Sequence, residues 1–215
     1  MVFRGAKESL LERNDGGAEE AVTIVAGLPR SGTSMMMQML AAGGMPILAD
    51  DVRQPDEDNP RGYYEFERVK ELAVDSSWLE EAKGKAVKMV YRLLYDLPHN
   101  YSYRVIFMKR ELNEIIASRE VMLERHGKAN DRLQQARMAE IYRRQREDVM
   151  SWLRDQPNFS VLYVDYGDVL RDPSRVVSKI SGFLGGRLDA EAMLRVPDSA
   201  LYRQRGESAE AASEW

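Results

Sequence analysis

The residues best suited to chemistry fall in one stretch, AVTIVAGLPRSGTSMMMQMLAA, from Ala21 to Ala42. Gly27 and Gly32 bracket Leu28, Pro29, Arg30 and Ser31, and Thr33 and Ser34 follow. Glycines let a loop turn until successive N–H groups converge, and the first turn of a following helix adds unpaired amides and a positive dipole end. With the hydroxyls of Ser31, Thr33 and Ser34 and the guanidinium of Arg30, such a loop suits a phosphate or a sulfate. It nearly fits G-x-x-x-x-G-K-[ST], in which the Lys reaches the β- and γ-phosphates of a nucleoside triphosphate. Thr33 stands where that Lys would be, and the cation is Arg30, ahead of the second glycine. The shifted cation suggests that a different group is transferred. A second pair lies further on, with Arg110 at the end of an apolar run and Ser118 eight residues later. Eight residues of helix span about 12 Å, but an Arg in the preceding loop can fold back, so the two could grip one phosphate.

The elements that must position these groups follow from pattern. Val22, Ile24 and Val25 open a first strand, and the Met-rich run after the loop meets no helix breaker before Gly43. Met45 to Leu48, Lys85 to Tyr91, Tyr103 to Met108 and Phe159 to Val164 read as four further strands. Helical spacing is expected over 65–82, from Leu112 to Arg125, from Leu133 to Arg154, and from Pro173 to Leu184, the last stopped by Gly185 and Gly186. Strands alternating with helices imply an α/β, three-layer P-loop-type fold, its central, mainly parallel sheet of about five strands flanked by helices and its ligand site at the strands' carboxyl ends. The acidic loop from Asp50 to Arg61 is too long for a plain connector, which favours a functional role. Residues 1–20 read as a mobile arm, 21–205 as a single domain and 206–215 as a disordered tail.

LPRSGTS resembles the 5′-phosphosulfate loop of the sulfotransferases, which use 3′-phosphoadenosine 5′-phosphosulfate (PAPS) and release 3′,5′-ADP. MKRELNEIIAS resembles the family's second motif, whose Arg and Ser hold the 3′-phosphate, here Arg110 and Ser118. VLYVDYGDVLRDPSRVVSKISGFLGG is similar to the segment that closes the family's sheet, and LYRQR to a basic segment near the end of many bacterial members. The resemblance therefore runs from about Ala21 to Arg205 and implies cofactor contacts by Arg30, Ser31, Gly32, Thr33, Ser34, Arg110, Ser118 and Arg203, with Arg205 beside it. It implies catalytic roles for Arg30 at the bridging oxygen and for Lys88, where some members keep a catalytic Lys, and it requires no metal. The His that cytosolic members carry two residues beyond that Lys is replaced by Val90. Other branches, including the tyrosylprotein and heparan enzymes, use a carboxylate just after the second strand; Asp51 falls there and is the preferred base, with Arg53 beside it and Asp50 and Glu65 in reserve. The acceptor is read as a small molecule or a peptide.

Composition narrows the classes. At 215 residues, with 44% hydrophobic and 31% charged, the chain suits one globular domain with a sizeable core. A net charge of −4 gives no general reason to expect nucleic acid, so any cationic site must be local. The absence of cysteine excludes disulfides, thiolate nucleophiles and Cys-based zinc sites. The two histidines, His99 and His126, sit in a Pro-His-Asn turn and near a helix end, and neither is taken as a base. No run approaches a membrane span and the start lacks an apolar signal core, so the expectation is a soluble, cytoplasmic protein of unstated oligomeric state. Two other readings stay open. VLYVD imitates a Walker B strand ending at Asp165, as in a P-loop kinase or NTPase with a shifted cation, and the loop would also suit a non-catalytic nucleotide-binding domain.

Overall fold

The computed structural model describes residues 20–50, 52–57, 59, 61–128 and 131–198. All of the expected arm at 1–20 except Glu20, the expected tail at 206–215, and Asp51, Arg203 and Arg205 lie outside the described residues.

The β-branched run forms β1, Val22–Gly27, and all six of its residues are buried. Such a continuous apolar run suits the middle of a parallel sheet, covered on both faces. The partners are β2 (Ile47–Leu48), β3 (Ala86–Lys88), β4 (Tyr103–Lys109) and β5 (Phe159–Asp165), in the order β2-β3-β1-β4-β5. Every pairing is parallel. The chain leaves β1 for one side of the sheet, builds β2 and β3 there, and crosses to the other side for β4. The reversal of strand order therefore lies beside β1, and its carboxyl end is where a ligand crevice opens.

Period-2 alternation sorts the strand residues between two cores. Val22, Ile24, Val105 and Phe107 face Trp78, Leu94, Val149 and Leu153, whereas Val25, Ile106 and Met108 face Met36, Met39, Val176 and Ile180. Helices α1 (Thr33–Ala42), α5 (Tyr166–Arg171), α6 (Pro173–Phe183) and α7 (Ala190–Leu194) supply the second core. The first is covered by α2 (Leu79–Ala82), α3 (Leu112–Arg125), α4 (Arg132–Arg154) and two 3₁₀ segments, Glu67–Glu71 and Tyr91–Asp96. Met36, Met37 and Met39 are fully buried, so the Met run serves mainly to pack α1 against the sheet.

The helical spacing over 65–82 resolves into the short 3₁₀ turn at Glu67–Glu71 and into α2, separated by a bend. Phe66, Val69 and Leu72 recur every third residue, a spacing that suits a 3₁₀ turn as well as an α-helix. At the bend the Asp75 carboxylate accepts from the Ser77 amide and from Arg68, which diverts the backbone from the helix. Among the described residues no helix is long and apolar enough to cross a membrane.

Candidate active site

A cleft of about 630 Å³ opens at the carboxyl ends of β1, β3 and β4, and Gly27, Arg30, Gly32, Thr33, Ser34, Lys88, Arg110 and Ser118 all line it. The loop between β1 and α1 depends on its glycines. A Cβ on Gly27 would come within 2.5 Å of Ser31 Oγ and 2.7 Å of the Met108 carbonyl oxygen. Gly32 has φ +96° and caps α1, and a Cβ there would meet the Tyr166 ring at 2.5 Å. Neither a side-chain cap nor an acidic residue serves the first turn of α1, so no carboxylate of that turn competes for its amides. Ser31 differs in position from its neighbours: its side chain is fully buried, and its Oγ has no hydrogen-bond partner among the described residues.

Arg30 links the two sequence motifs. Its Nε donates to Ser118 Oγ at 2.9 Å, and its carbonyl accepts from Arg110 Nη1 at 3.1 Å. Arg30 itself has φ +67°, a strained conformation that a non-glycine residue keeps only where its surroundings hold it. Arg110 is buried beside Glu114, its Nε 2.9 Å from Glu114 Oε2, and its guanidinium lies 4.4 Å over the Tyr166 ring. Burial pushes the Tyr166 phenol up, and the neighbouring Arg110 acts the other way.

Lys88 leaves the end of β3 and donates to Ser34 Oγ at 3.1 Å and to the Tyr63 carbonyl at 2.8 Å, with Glu65 Oε1 3.7 Å away. Asn59 Nδ2 donates to the same Ser34 Oγ at 2.8 Å and so ties the acidic loop to the anion loop. Glu65 also pairs with Arg53 at 3.2 Å, and the Arg53 guanidinium stacks 3.4 Å from the Tyr63 ring centroid. Tyr63 Oη donates to both oxygens of Asp56, at 2.7 and 2.8 Å. Asp50 Oδ2 accepts from the Glu67 amide at 2.6 Å, which commits that carboxylate to the backbone. Of the carboxylates proposed from sequence, Glu65 is the one that the described residues place on the cleft wall.

Burial pulls the Lys88 ammonium down from 10.5 to about 8; Glu65 opposes the shift, whereas Arg53 and Arg30 add to it. Between about pH 8 and pH 10.5 the unfolded chain then holds a proton that the folded one has lost, so stability rises with pH across that window. Urea unfolding should show the wild type gaining up to about 3 kcal/mol on Lys88→Met as pH rises through it. Parallel pH profiles for the two proteins would remove Lys88 from this role.

Asn59, Glu114 and Tyr166 escaped the sequence reading, whereas the sequence already offers Tyr63, with Tyr64 and Phe66, as a candidate wall of an acceptor site. Tyr166 carried a faint signal, an aromatic directly after the acidic end of β5 within the sheet-closing segment. Asn59 carried none.

No curated protein sequence matches the chain. Among solved structures it is similar to a sulfotransferase domain from the curacin biosynthetic pathway, at 15% identity, covering 85% of this chain and 76% of that one, TM-score 0.42. Sulfotransferase STF9 from Mycobacterium avium matches at 16% identity, 86% and 69% coverage and TM-score 0.47. A sulfotransferase from Alicyclobacillus acidocaldarius matches at 16% identity, 85% and 99% coverage and TM-score 0.46. The sulfotransferase-domain family model matches residues 21–205, from the first strand through both anion motifs to the basic segment, and the chain belongs to that family.

Proposed function

We propose that the chain moves the sulfuryl group of PAPS to a hydroxyl or amine of an acceptor. The observation that carries this reading is the second cation of the loop. With Thr33 in the triphosphatase Lys position, Lys88 comes from the end of β3 to Ser34 Oγ, so Arg30 and Lys88 serve one anion loop from two elements.

In this reading the α1 amides, Arg30, Thr33, Ser34 and Lys88 hold the 5′-phosphosulfate, and Arg110 and Ser118, with Arg203 as a further contact, hold the 3′-phosphate. Glu65 accepts the acceptor's proton as its oxygen or nitrogen bonds to sulfur. The bond from sulfur to the phosphate oxygen breaks, and 3′,5′-ADP departs with the charge that Arg30 and Lys88 neutralise. As in phosphoryl transfer, the protein's share is positioning and electrostatics. Asp51 is the alternative base.

Thermal unfolding tests the donor. At a hundred times Kd a ligand adds about 2.7 kcal/mol, which raises Tm by roughly 5–10 °C for a chain of this size. That rise is expected with 3′,5′-ADP in the absence of magnesium and not with ATP and magnesium. The reverse selectivity would overturn the reading in favour of a kinase or NTPase. Asp165, which that alternative needs for magnesium, caps α5 by accepting from the Gly167 amide at 2.9 Å.

A further inference from the structure

We propose, on the basis of the sulfotransferase reading, that the acceptor is an alcohol or phenol on an uncharged, apolar body. Its seat is the cleft wall made by Phe66, Val69, Met89, Val90, Leu93 and Met122.

This wall begins at the reacting groups. Phe66 and Met89 line the same cleft as Glu65 and Lys88, whose carboxylate oxygen and ammonium lie 3.7 Å apart, so an acceptor oxygen bound by those two groups has apolar lining within the cleft for its carbon skeleton. The Met89 amide donates to the Val25 carbonyl at 3.1 Å, which fixes this exit to the central strand. Val90 stays 49% exposed although it lines the cleft, and Leu93 and Met122 are half-buried. Apolar surface left in water costs about 25 cal/mol per Å², and a ligand with an apolar body covers it.

Charge points the same way. Lys70 pairs with Glu67 at 2.6 Å and Arg119 with Glu120 at 2.9 Å, so two cations lining the cleft on this side are already answered, and Arg125 carries an interaction of its own. An anionic tail on the acceptor would have to compete with these partners. A sugar would press several hydroxyls onto carbon, each losing water without a replacement at about 1–3 kcal/mol. A peptide would bring amides with the same need. The volume falls in the range of one small-molecule site, shared here by donor and acceptor.

The test uses the full chain saturated with 3′,5′-ADP and titrated, by calorimetry, with 2-naphthol, N-acetylglucosamine and a short tyrosine-containing peptide. We expect 2-naphthol to bind at least tenfold more tightly than the other two. Val90→Asp and Leu93→Asp should each weaken it at least tenfold while leaving the 3′,5′-ADP affinity within about twofold, which also shows that the variants fold. The proposal is overturned if the sugar or the peptide binds as tightly as 2-naphthol, or if both aspartate variants keep 2-naphthol. Failure of the wild type to bind 3′,5′-ADP is a separate result that removes the donor reading beneath it.

Discussion

Arg110→Ala is expected to lose about 3–5 kcal/mol of stability, the usual cost of breaking a buried ion pair from one side, and with it measurable affinity for 3′,5′-ADP. Arg110 and Glu114 are 8% and 6% exposed, and their pair sits one helical turn apart at the entrance to α3. Removing the guanidinium takes from Glu114 the cation facing it, from the Arg30 carbonyl its donor at 3.1 Å, and from the Tyr166 ring the group lying over it. The last loss reaches the anion loop directly, because Gly32 has just enough room against that ring. The double variant Arg110→Met, Glu114→Leu separates the two effects, since replacing both members of a buried pair by apolar residues of similar volume is often neutral or stabilising. It should regain most of the stability while the affinity stays lost. Urea unfolding and titration with 3′,5′-ADP measure the two quantities. If Arg110→Ala loses less than about 1 kcal/mol and keeps the affinity, the Arg110–Glu114 pair neither stabilises the fold nor holds the ligand.

The anion loop could be read from sequence because each of its signals is local. The β-branched run, two glycines at fixed spacing and a breaker-free helix all lie within Ala21 to Ala42, and β1 and α1 occupy it as expected. The same holds for α3, whose bounds, Leu112–Arg125, are those its pattern gives. Residues 65–82 could not be read in this way, because Phe66, at the start of the 3₁₀ turn, packs against Trp78 with ring centroids 5.6 Å apart, and the Asp75 turn interrupts the helical spacing between them. The short helices α5 and α7 were missed for a related reason. Each is one or two turns begun by an Asp cap, Asp165 and Asp189, and too brief to show periodicity. Within the site, Arg30, Ser34, Lys88, Arg110 and Ser118 all meet the cleft. What the sequence concealed is how they are held. Asn59 finds Ser34 across 25 residues, Arg30 finds Ser118 across 88, and Tyr166 packs on Gly32 from the far end of β5. Such contacts follow from the strand order and leave no trace in local spacing.

Glu65→Gln is expected to lower kcat by about 10²–10⁴, the range for removing a positioned general base, while binding 3′,5′-ADP at least as tightly as the wild type. The second half of this prediction follows from charge. Glu65 faces two cations, Lys88 at 3.7 Å and Arg53 at 3.2 Å, so removing its carboxylate leaves the cleft more positive and does not weaken its hold on an anion. A residue with a purely structural role would lose binding and rate together. A further signature lies in the pH profile. The Glu65 carboxylate holds the Lys88 ammonium up against burial, so Glu65→Gln should move the loss of the Lys88 proton below its present value of about 8. Donor affinity, which depends on that cation, should then begin to fall at lower pH than in the wild type. Single-turnover measurements with labelled PAPS, together with 3′,5′-ADP titrations across pH, read both effects. A kcat within about threefold of wild type, with the large fall appearing instead in Asp51→Asn, would transfer the role of base to Asp51 and leave Glu65 to tune the charge of Lys88.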